Sequence, residues 1–295
     1  MFTSLKANIL FHSLLKRPKI EKAYAMVAPE DSWYETICKV HTSLAQIQKL
    51  PHEVLTLTSH DGLKLQGIYY PAEGGSNLTV ICAHGYTSHA EREWAFPGLF
   101  YHSLGYNVLI PYQRAHGPSQ GKYITFGALE HLDMMGWIDR VNQMTPNGKI
   151  VLHGLSMGGG IVLFMADKEL PNVACLIADA PSESIEGFFR RISAQVFKAE
   201  GARVCAAIQK KYERLFGTDL TAFDVRKTVS GSKYPILLAA GSNEGREATF
   251  AELEALCPKK TVTVILDGCN HGNGMYKQTE AFQGAIRAFL TDHLR

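Results

Sequence analysis

The stretch Lys149-Ile150-Val151-Leu152-His153-Gly154-Leu155-Ser156-Met157-Gly158-Gly159-Gly160 decides the fold. Lys149–His153 is a short apolar run of the kind that forms a buried, parallel strand. Met157–Leu170 follows with a helical pattern. Between them Gly154-Leu155-Ser156-Met157-Gly158 reads G-x-S-x-G. A serine on so tight a strand-to-helix turn is lifted above the sheet edge with its hydroxyl exposed. Gly154 and Gly158 have no Cβ, so strand and helix can approach closely beneath it. The helix N-terminus adds free N–H groups and a partial positive charge, and Met157 supplies one of those N–H groups. The pattern alone arises by chance in about one chain in ten of this composition. The strand before it and the helix after it therefore carry the weight.

Working outward, Glu53–Ser59 alternates like a strand, His60-Asp61-Gly62 is a turn, and Leu63–Tyr70 completes a hairpin. Leu78–Ala83, Tyr106–Pro111, Val173–Asp179, Pro235–Gly241 and Thr261–Leu266 are further strands. Helical spacing covers residues 30–49, Leu129–Met144, the neighbourhood of Ala248–Cys257, and roughly Gln278–Leu294. The expectation is an α/β chain with a mostly parallel eight-stranded sheet and helices on both faces. Pro181–Lys233 has no good strand and reads as helical. Lying between two strands, it is expected to form a small lid over the strand ends, where ligands bind in such sheets. The organisation expected is an N-terminal helical extension (1–52) and a catalytic domain (53–295) carrying the lid insertion (181–233).

If the chain order is serine, acid, histidine, the base must follow Ser156. Only His271 and His293 do. His293 sits on the last turn of the closing helix, where the helix dipole explains it. His271 lies in Gly268-Cys269-Asn270-His271-Gly272-Asn273-Gly274, directly after the strand Thr261–Leu266. A neutral imidazole there can take the Ser156 proton and return it to the leaving group. The acid should hold the imidazole tautomer from a loop at the same edge. Glu244, in the loop after Pro235–Gly241, is the first candidate. Asp179, at the end of its strand, is the rival. Asp267 is too near the strand end to reach around, and Glu247 reads as the first turn of the next helix. The second donor to an oxyanion should follow an early strand, where Ala83-His84-Gly85-Tyr86 stands. Two fixed N–H groups, of Tyr86 and Met157, would stabilise a tetrahedral intermediate.

Composition excludes more than it identifies. The chain has 295 residues, 30 Lys and Arg against 28 Asp and Glu, and a formal charge of +2. That balance argues against a dedicated nucleic-acid binder. Its six cysteines include no CxxC pair, and there is no HExxH, so free thiols and no metal site are expected. The apolar stretch Asn8–Leu15 is interrupted by His12 and Ser13, too short for the ~18 residues of a membrane span. With no secretory pattern before Lys16-Arg17-Pro18-Lys19, a cytoplasmic protein is expected. Phe2, Leu5, Ile9 and Leu10 fall on one helical face with Lys6, Lys16 and Arg17 around it. That helix packs on its own body, on a membrane surface, or on a second copy to give a homodimer.

These motifs together resemble the α/β-hydrolase superfamily. They are His84-Gly85-Tyr86, then Arg114-Ala115-His116-Gly117-Pro118-Ser119, then Gly154-Leu155-Ser156-Met157-Gly158-Gly159, then Asn270-His271. The chain is similar in particular to bacterial serine esterases and serine aminopeptidase-like hydrolases, over about residues 53–295. The resemblance implies Ser156 as nucleophile, His271 as base and the Tyr86 and Met157 amides as oxyanion hole. It implies that the Arg114–Ser119 segment shapes the loop beside the site. The family's acid loop usually reads His-Gly-x-x-Asp. Here Ala240-Gly241-Ser242-Asn243-Glu244 puts Glu244 at the Asp position.

The expectation is a carboxylesterase-like serine hydrolase (EC 3.1.1) cleaving esters of small or medium acyl groups through an acyl-enzyme on Ser156. Its partner is a small-molecule ester or amide, with no cofactor and no nucleic acid. A peptidase or thioesterase with the same triad, and a catalytically weak binding protein on the hydrolase fold, are the alternatives. Phe188, Phe189, Phe197, Tyr212 and Phe216 are candidates for an apolar wall or for core.

Overall fold

The computed structural model describes residues 2–18 and 26–294. Two helices come first, α1 (Phe2–Leu15) and α2 (Tyr34–Ile47). The hairpin follows as β1 (Glu53–Thr58) and β2 (Lys64–Tyr70). The chain then alternates through β3 (Leu78–Ala83), α3 (Ala90–Ser103), β4 (Asn107–Pro111) and α4 (Glu130–Met144). Next come β5 (Lys149–Leu155), α5 (Met157–Leu163) and β6 (Val173–Asp179). Three helices separate β6 from β7 (Ile236–Gly241): α6 (Ile185–Phe197), α7 (Gly201–Phe216) and α8 (Val225–Val229). The chain closes with α9 (Glu247–Leu256), β8 (Thr261–Leu266), α10 (Gly274–Lys277) and α11 (Thr279–His293).

The eight strands form one sheet in the order β1-β2-β4-β3-β5-β6-β7-β8. β2 runs antiparallel to β1 and to β4, and the other pairs are parallel. From β3 the chain turns one way to β4, and from β5 the other way to β6. The carboxyl ends of β3 and β5 therefore flank the switch point, where a crevice opens. Register sharpens this, because Ala83 pairs with Gly154, so the loop after β3 and the turn after β5 leave the sheet at one level.

Alternate residues face opposite layers, as the two-residue period of a strand requires. Val80, Cys82, Val151 and Ile177 pack with α2, α3 and α11. Ile81, Leu152, Leu176 and Leu238 pack with α4, α5 and α9 on the other face. α1 joins this second layer, with Leu10, Phe11 and Leu15 buried beside Val204, Ile208 and Tyr212 of α7. α1 and α2 thus serve opposite faces of the sheet.

Two expectations need correction. The apolar face read from Phe2, Leu5, Ile9 and Leu10 is divided. Leu10 turns inward with Ala7, Phe11 and Leu15, while Leu5 and Ile9 face solvent. Apolar residues occupy both sides of α1, and the larger Phe11, Leu14 and Leu15 set wins the interior. The side chain of Phe2 and all of Lys19 lie outside the described residues. The helix expected over Met157–Leu170 stops at Leu163, whose carbonyl accepts from Thr228 Oγ1 at 2.7 Å. Of the two readings of the aromatic set, core holds for Phe189 and Tyr212, which are fully buried, while Phe188 lines the cavity that also includes Ser182 and Phe216 lines one that includes Arg114.

The 181–233 insertion leaves and re-enters at one place. Ser184 bridges Asp224, Ile185 N–H donates to the Phe223 carbonyl at 3.1 Å, and Val225 N–H to the Glu183 carbonyl at 2.8 Å.

Candidate active site

Ser156 stands between β5 and α5 with φ +57° and ψ −112°, a conformation disfavoured for a residue with a Cβ. Its neighbours explain how the turn is possible. A Cβ on Gly154 would sit 2.2 Å from the Gly158 carbonyl oxygen, and one on Gly158 would sit 1.9 Å from that of Ala83. Only glycine fits either position. The Ser156 backbone is pinned on both sides: its N–H donates to the Asp179 carbonyl at 2.8 Å, and its carbonyl accepts from Ser182 N–H at 2.9 Å.

His271 Nε2 lies 2.8 Å from Ser156 Oγ, and His271 Nδ1 lies 2.6 Å from Glu244 Oε2. The structure therefore brings together the serine, the histidine and one of the two rival acids. Glu244 reaches the imidazole because residues Ser242–Glu244 form a short 3₁₀ turn after β7. Its other oxygen, Oε1, accepts the Gly241 N–H at 3.1 Å, which fixes the carboxylate plane. Asp179 is only an onlooker here, since its carboxyl has no hydrogen-bond partner among the described residues. Burial pushes that carboxyl up to about 7, opposed by the nearby His271 charge. Glu247 begins α9, as expected.

The electrostatics follow from these contacts. Burial alone would lift the Glu244 carboxyl. The hydrogen bond and charge of His271, with the Gly241 N–H and Arg246, hold it below the ordinary glutamate value instead. For His271 the hydrogen bond to Glu244 outweighs desolvation and raises the imidazole above its ordinary value.

The loop after β3 is held by His84 and His116 of the motifs already quoted and by two residues that the sequence did not single out, Glu93 and Gln113. Gly85 N–H donates to Glu93 Oε1 at 2.7 Å, and a Cβ on Gly85 would stand 3.5 Å from Ser156 Cβ. His84 Nε2 accepts the Gln113 N–H at 3.0 Å, so its Nδ1–H donates to the Gly85 carbonyl at 2.8 Å. In the same way His116 Nε2 accepts the Thr87 N–H at 3.1 Å and its Nδ1–H donates to the Arg114 carbonyl at 3.0 Å. The two buried rings meet edge to face, 4.5 Å apart, and burial keeps His84 well below its ordinary value. Two neutral histidines thus brace the turn at Thr87, where φ is +52°. The backbone N–H groups of Tyr86 and Met157 have no acceptor among the described residues. The Tyr86 ring stacks on Phe126, and its hydroxyl donates to the Leu14 carbonyl of α1 at 2.7 Å.

The Arg114–Ser119 segment supports this loop from behind. Arg114 is almost wholly buried and grips Asp133 with two bonds of 2.7 Å, and Asp61 with bonds of 2.9 and 3.1 Å. Desolvation raises the Asp133 carboxyl to about 6 despite the guanidinium. Asp61, less buried, is held by Arg114 and Ser59 at about 2. His60, Asp61 and Asp133 bring donor atoms within 4.8 Å of one another, but both carboxylates already bind Arg114. The arrangement is an ion-pair cluster.

A mostly charged cavity of about 550 Å³ lies along the start of the insertion, lined by Ser182, Phe188, Glu183, Glu186 and Asp224 with Arg190, Arg191, Arg226 and Arg246, and none of Ser156, His271 and Glu244 lines it. Arg246 connects it to Glu244, with its Nε 3.8 Å from Oε2 and its Nη1 bonded to Glu183.

A sheet of this order, with a strained serine after β5 and a histidine after β8, is the architecture of one large family. The family model described as the alpha/beta hydrolase fold matches residues 79–271, and the chain belongs to that family. Its fold is shared with an esterase of Pyrococcus furiosus, at a TM-score of 0.66 and 23% identity over 92% of this chain and 97% of that one. Est1E of Butyrivibrio proteoclasticus, solved with ferulic acid bound, aligns at a TM-score of 0.62 and 20% identity, covering 81% and 99%. Among curated proteins, the uncharacterized protein YqkD of Bacillus subtilis is 29% identical over 143 residues, 48% of this chain. The match spans 46% of that relative's length.

Proposed function

We propose that this protein is a serine hydrolase that cleaves carboxylic esters of small or medium acyl groups. The observation that carries the reading is the unbroken chain from Glu244 Oε2 through His271 to Ser156 Oγ, with steps of 2.6 and 2.8 Å. In this reading His271 Nε2 takes the hydroxyl proton as Ser156 Oγ bonds to the ester carbonyl carbon. The carbonyl oxygen becomes an oxyanion, received by the N–H groups of Tyr86 and Met157, each contributing a few kcal/mol, about 3 by analogy with other such donors. The imidazolium then gives its proton to the leaving alcohol, leaving an acyl group on Ser156. Water, deprotonated by the same imidazole, releases the acid and restores the serine.

Glu244 would hold Nδ1 protonated and stabilise the imidazolium without taking its proton. The acyl group would leave Ser156 towards the insertion, where Phe188 is the one aromatic residue in the lining of the neighbouring cavity. A fluorophosphonate probe tests the reading directly. A covalent adduct on Ser156, absent from Ser156→Ala, is expected, and no adduct on folded protein would refute it.

A further inference from the structure

The formal charge of +2 conceals an uneven distribution. Residues 1–18 and 181–233 together carry thirteen Lys and Arg against six Asp and Glu, a net of +7. The rest of the chain carries seventeen against twenty-two, a net of −5. The two basic segments touch. Lys6 of α1 pairs with Glu200 at 2.7 Å and lies over the Phe197 ring. Lys211 of α7 bonds Asn8 and His12 of α1 and covers the Phe11 ring. They make a basic face where α7 meets α1, with Lys210, Lys211 and Arg214 gathered there.

The same face exposes apolar surface. Leu5 and Ile9, one turn apart on the outer side of α1, are 58% and 61% exposed. Val196, beside Phe197 near the end of α6, is also open to solvent. The inner side of α1 is already buried, so this helix is apolar on two sides and covered on one. Next to Leu5 and Ile9, Ser4 and Asn8 form one wall of a cleft of about 280 Å³. Lys210, Lys211 and Arg214 form the other, and no carboxylate lines it.

We propose that this face docks on an anionic lipid surface. Leu5 and Ile9 enter the interface, and the cleft cations receive the headgroup phosphates. Charge selects this occupant. A second copy joined by a two-fold axis would set Lys210, Lys211 and Arg214 against their own equivalents. A nucleic acid would meet the charge but leave Leu5, Ile9 and Val196 in water. An anionic bilayer satisfies both. Docking also has a consequence that rests on the hydrolase reading. The insertion borders the Ser156 turn through Ser182 and meets α1 through Phe197 beneath Lys6, so docking would hold the element next to the serine at the phase where apolar esters concentrate.

Sedimentation of the full chain with vesicles tests docking without reference to turnover. The protein is expected to sediment with phosphatidylcholine vesicles containing about 30% phosphatidylglycerol, and not with phosphatidylcholine alone. Raising salt from about 0.1 to about 0.5 M should weaken partitioning by about tenfold or more. The double variants Leu5→Ser/Ile9→Ser and Lys210→Glu/Arg214→Glu, checked for folding by circular dichroism, should each weaken it by about tenfold. Hydrolysis of a soluble short-chain ester should be unchanged in both. Failure of the native chain to sediment with anionic vesicles, or equal sedimentation of the variants, overturns the proposal. So does a dimer in light scattering that Leu5→Ser/Ile9→Ser dissociates, which would assign the face to a second copy. Vesicle binding without a fluorophosphonate adduct would leave docking standing and remove only the hydrolase reading.

Discussion

Replacing Glu244 by Gln should cripple turnover while leaving the fold intact, and the geometry says why. Oε1 accepts the Gly241 N–H at 3.1 Å, so an oxygen must stay on that side. The amide nitrogen introduced by Glu244→Gln would then face His271 Nδ1. Two donors cannot share that contact, so Nδ1 becomes the acceptor and the ring proton moves to Nε2, opposite Ser156 Oγ. The histidine can no longer take the serine proton. Flipping the amide rescues the tautomer but sets two N–H groups against each other at Gly241, at a cost of about 1–3 kcal/mol.

Either way the imidazolium loses its carboxylate. For charge centres about 4 Å apart in an effective dielectric of about 20, that interaction is about 4 kcal/mol, or about three powers of ten in rate. Steady-state hydrolysis of a p-nitrophenyl ester is the assay. The expected result is a kcat about 10³-fold lower with a KM changed little and an unchanged melting temperature. Turnover within about threefold of native would refute the assignment of Glu244. A large loss in Asp179→Asn instead would move the acid to β6.

Because Glu244 raises the His271 value, the neutral imidazole, and with it activity, should be lost as pH falls through a midpoint above the ordinary ~6.5. The acidic limb of a kcat/KM profile measures this, and a midpoint below ~6.5 would contradict it. Arg114→Ala strands the buried Asp133 carboxyl and removes the partner of Asp61. Urea denaturation should show a loss of about 3–5 kcal/mol. At Ser156 the strained φ of +57° predicts that Ser156→Gly is more stable than Ser156→Ala by about 1 kcal/mol, again by denaturation.

Much of the fold was legible because β5 and the Ser156 turn are written in local chemistry. An apolar strand, two glycines four residues apart and a helix after them leave few arrangements. The other strands follow from apolar runs bounded by turn residues. His271 could be found by elimination, since only two histidines follow Ser156. The acid could not be settled in that way, because Asp179 and Glu244 end adjacent strands. What separates them is the 3₁₀ turn at Ser242–Glu244, a matter of backbone direction that composition does not encode. The support of the β3 loop by the Arg114–Ser119 segment was implied by the resemblance, but its particular contacts, and those of Glu93 and Gln113, were out of reach. These contacts join residues about eight to thirty positions apart through the burial of a whole layer. The orientation of α1 escapes the sequence for a related reason. A helix with leucines on both sides has no inward face until something packs against it, and α7 makes that choice.

The Tyr86 hydroxyl bonded to the Leu14 carbonyl gives one residue two attachments. Its main chain lies in the loop proposed to receive the oxyanion, and its ring is moored to the first helix. α1 is therefore a handle on that loop: whatever pulls on the helix pulls on the proposed oxyanion site. A bulky fusion on the exposed side of α1, which leaves Leu10, Phe11 and Leu15 in the core, should be felt as a change in turnover before it is felt as a loss of fold.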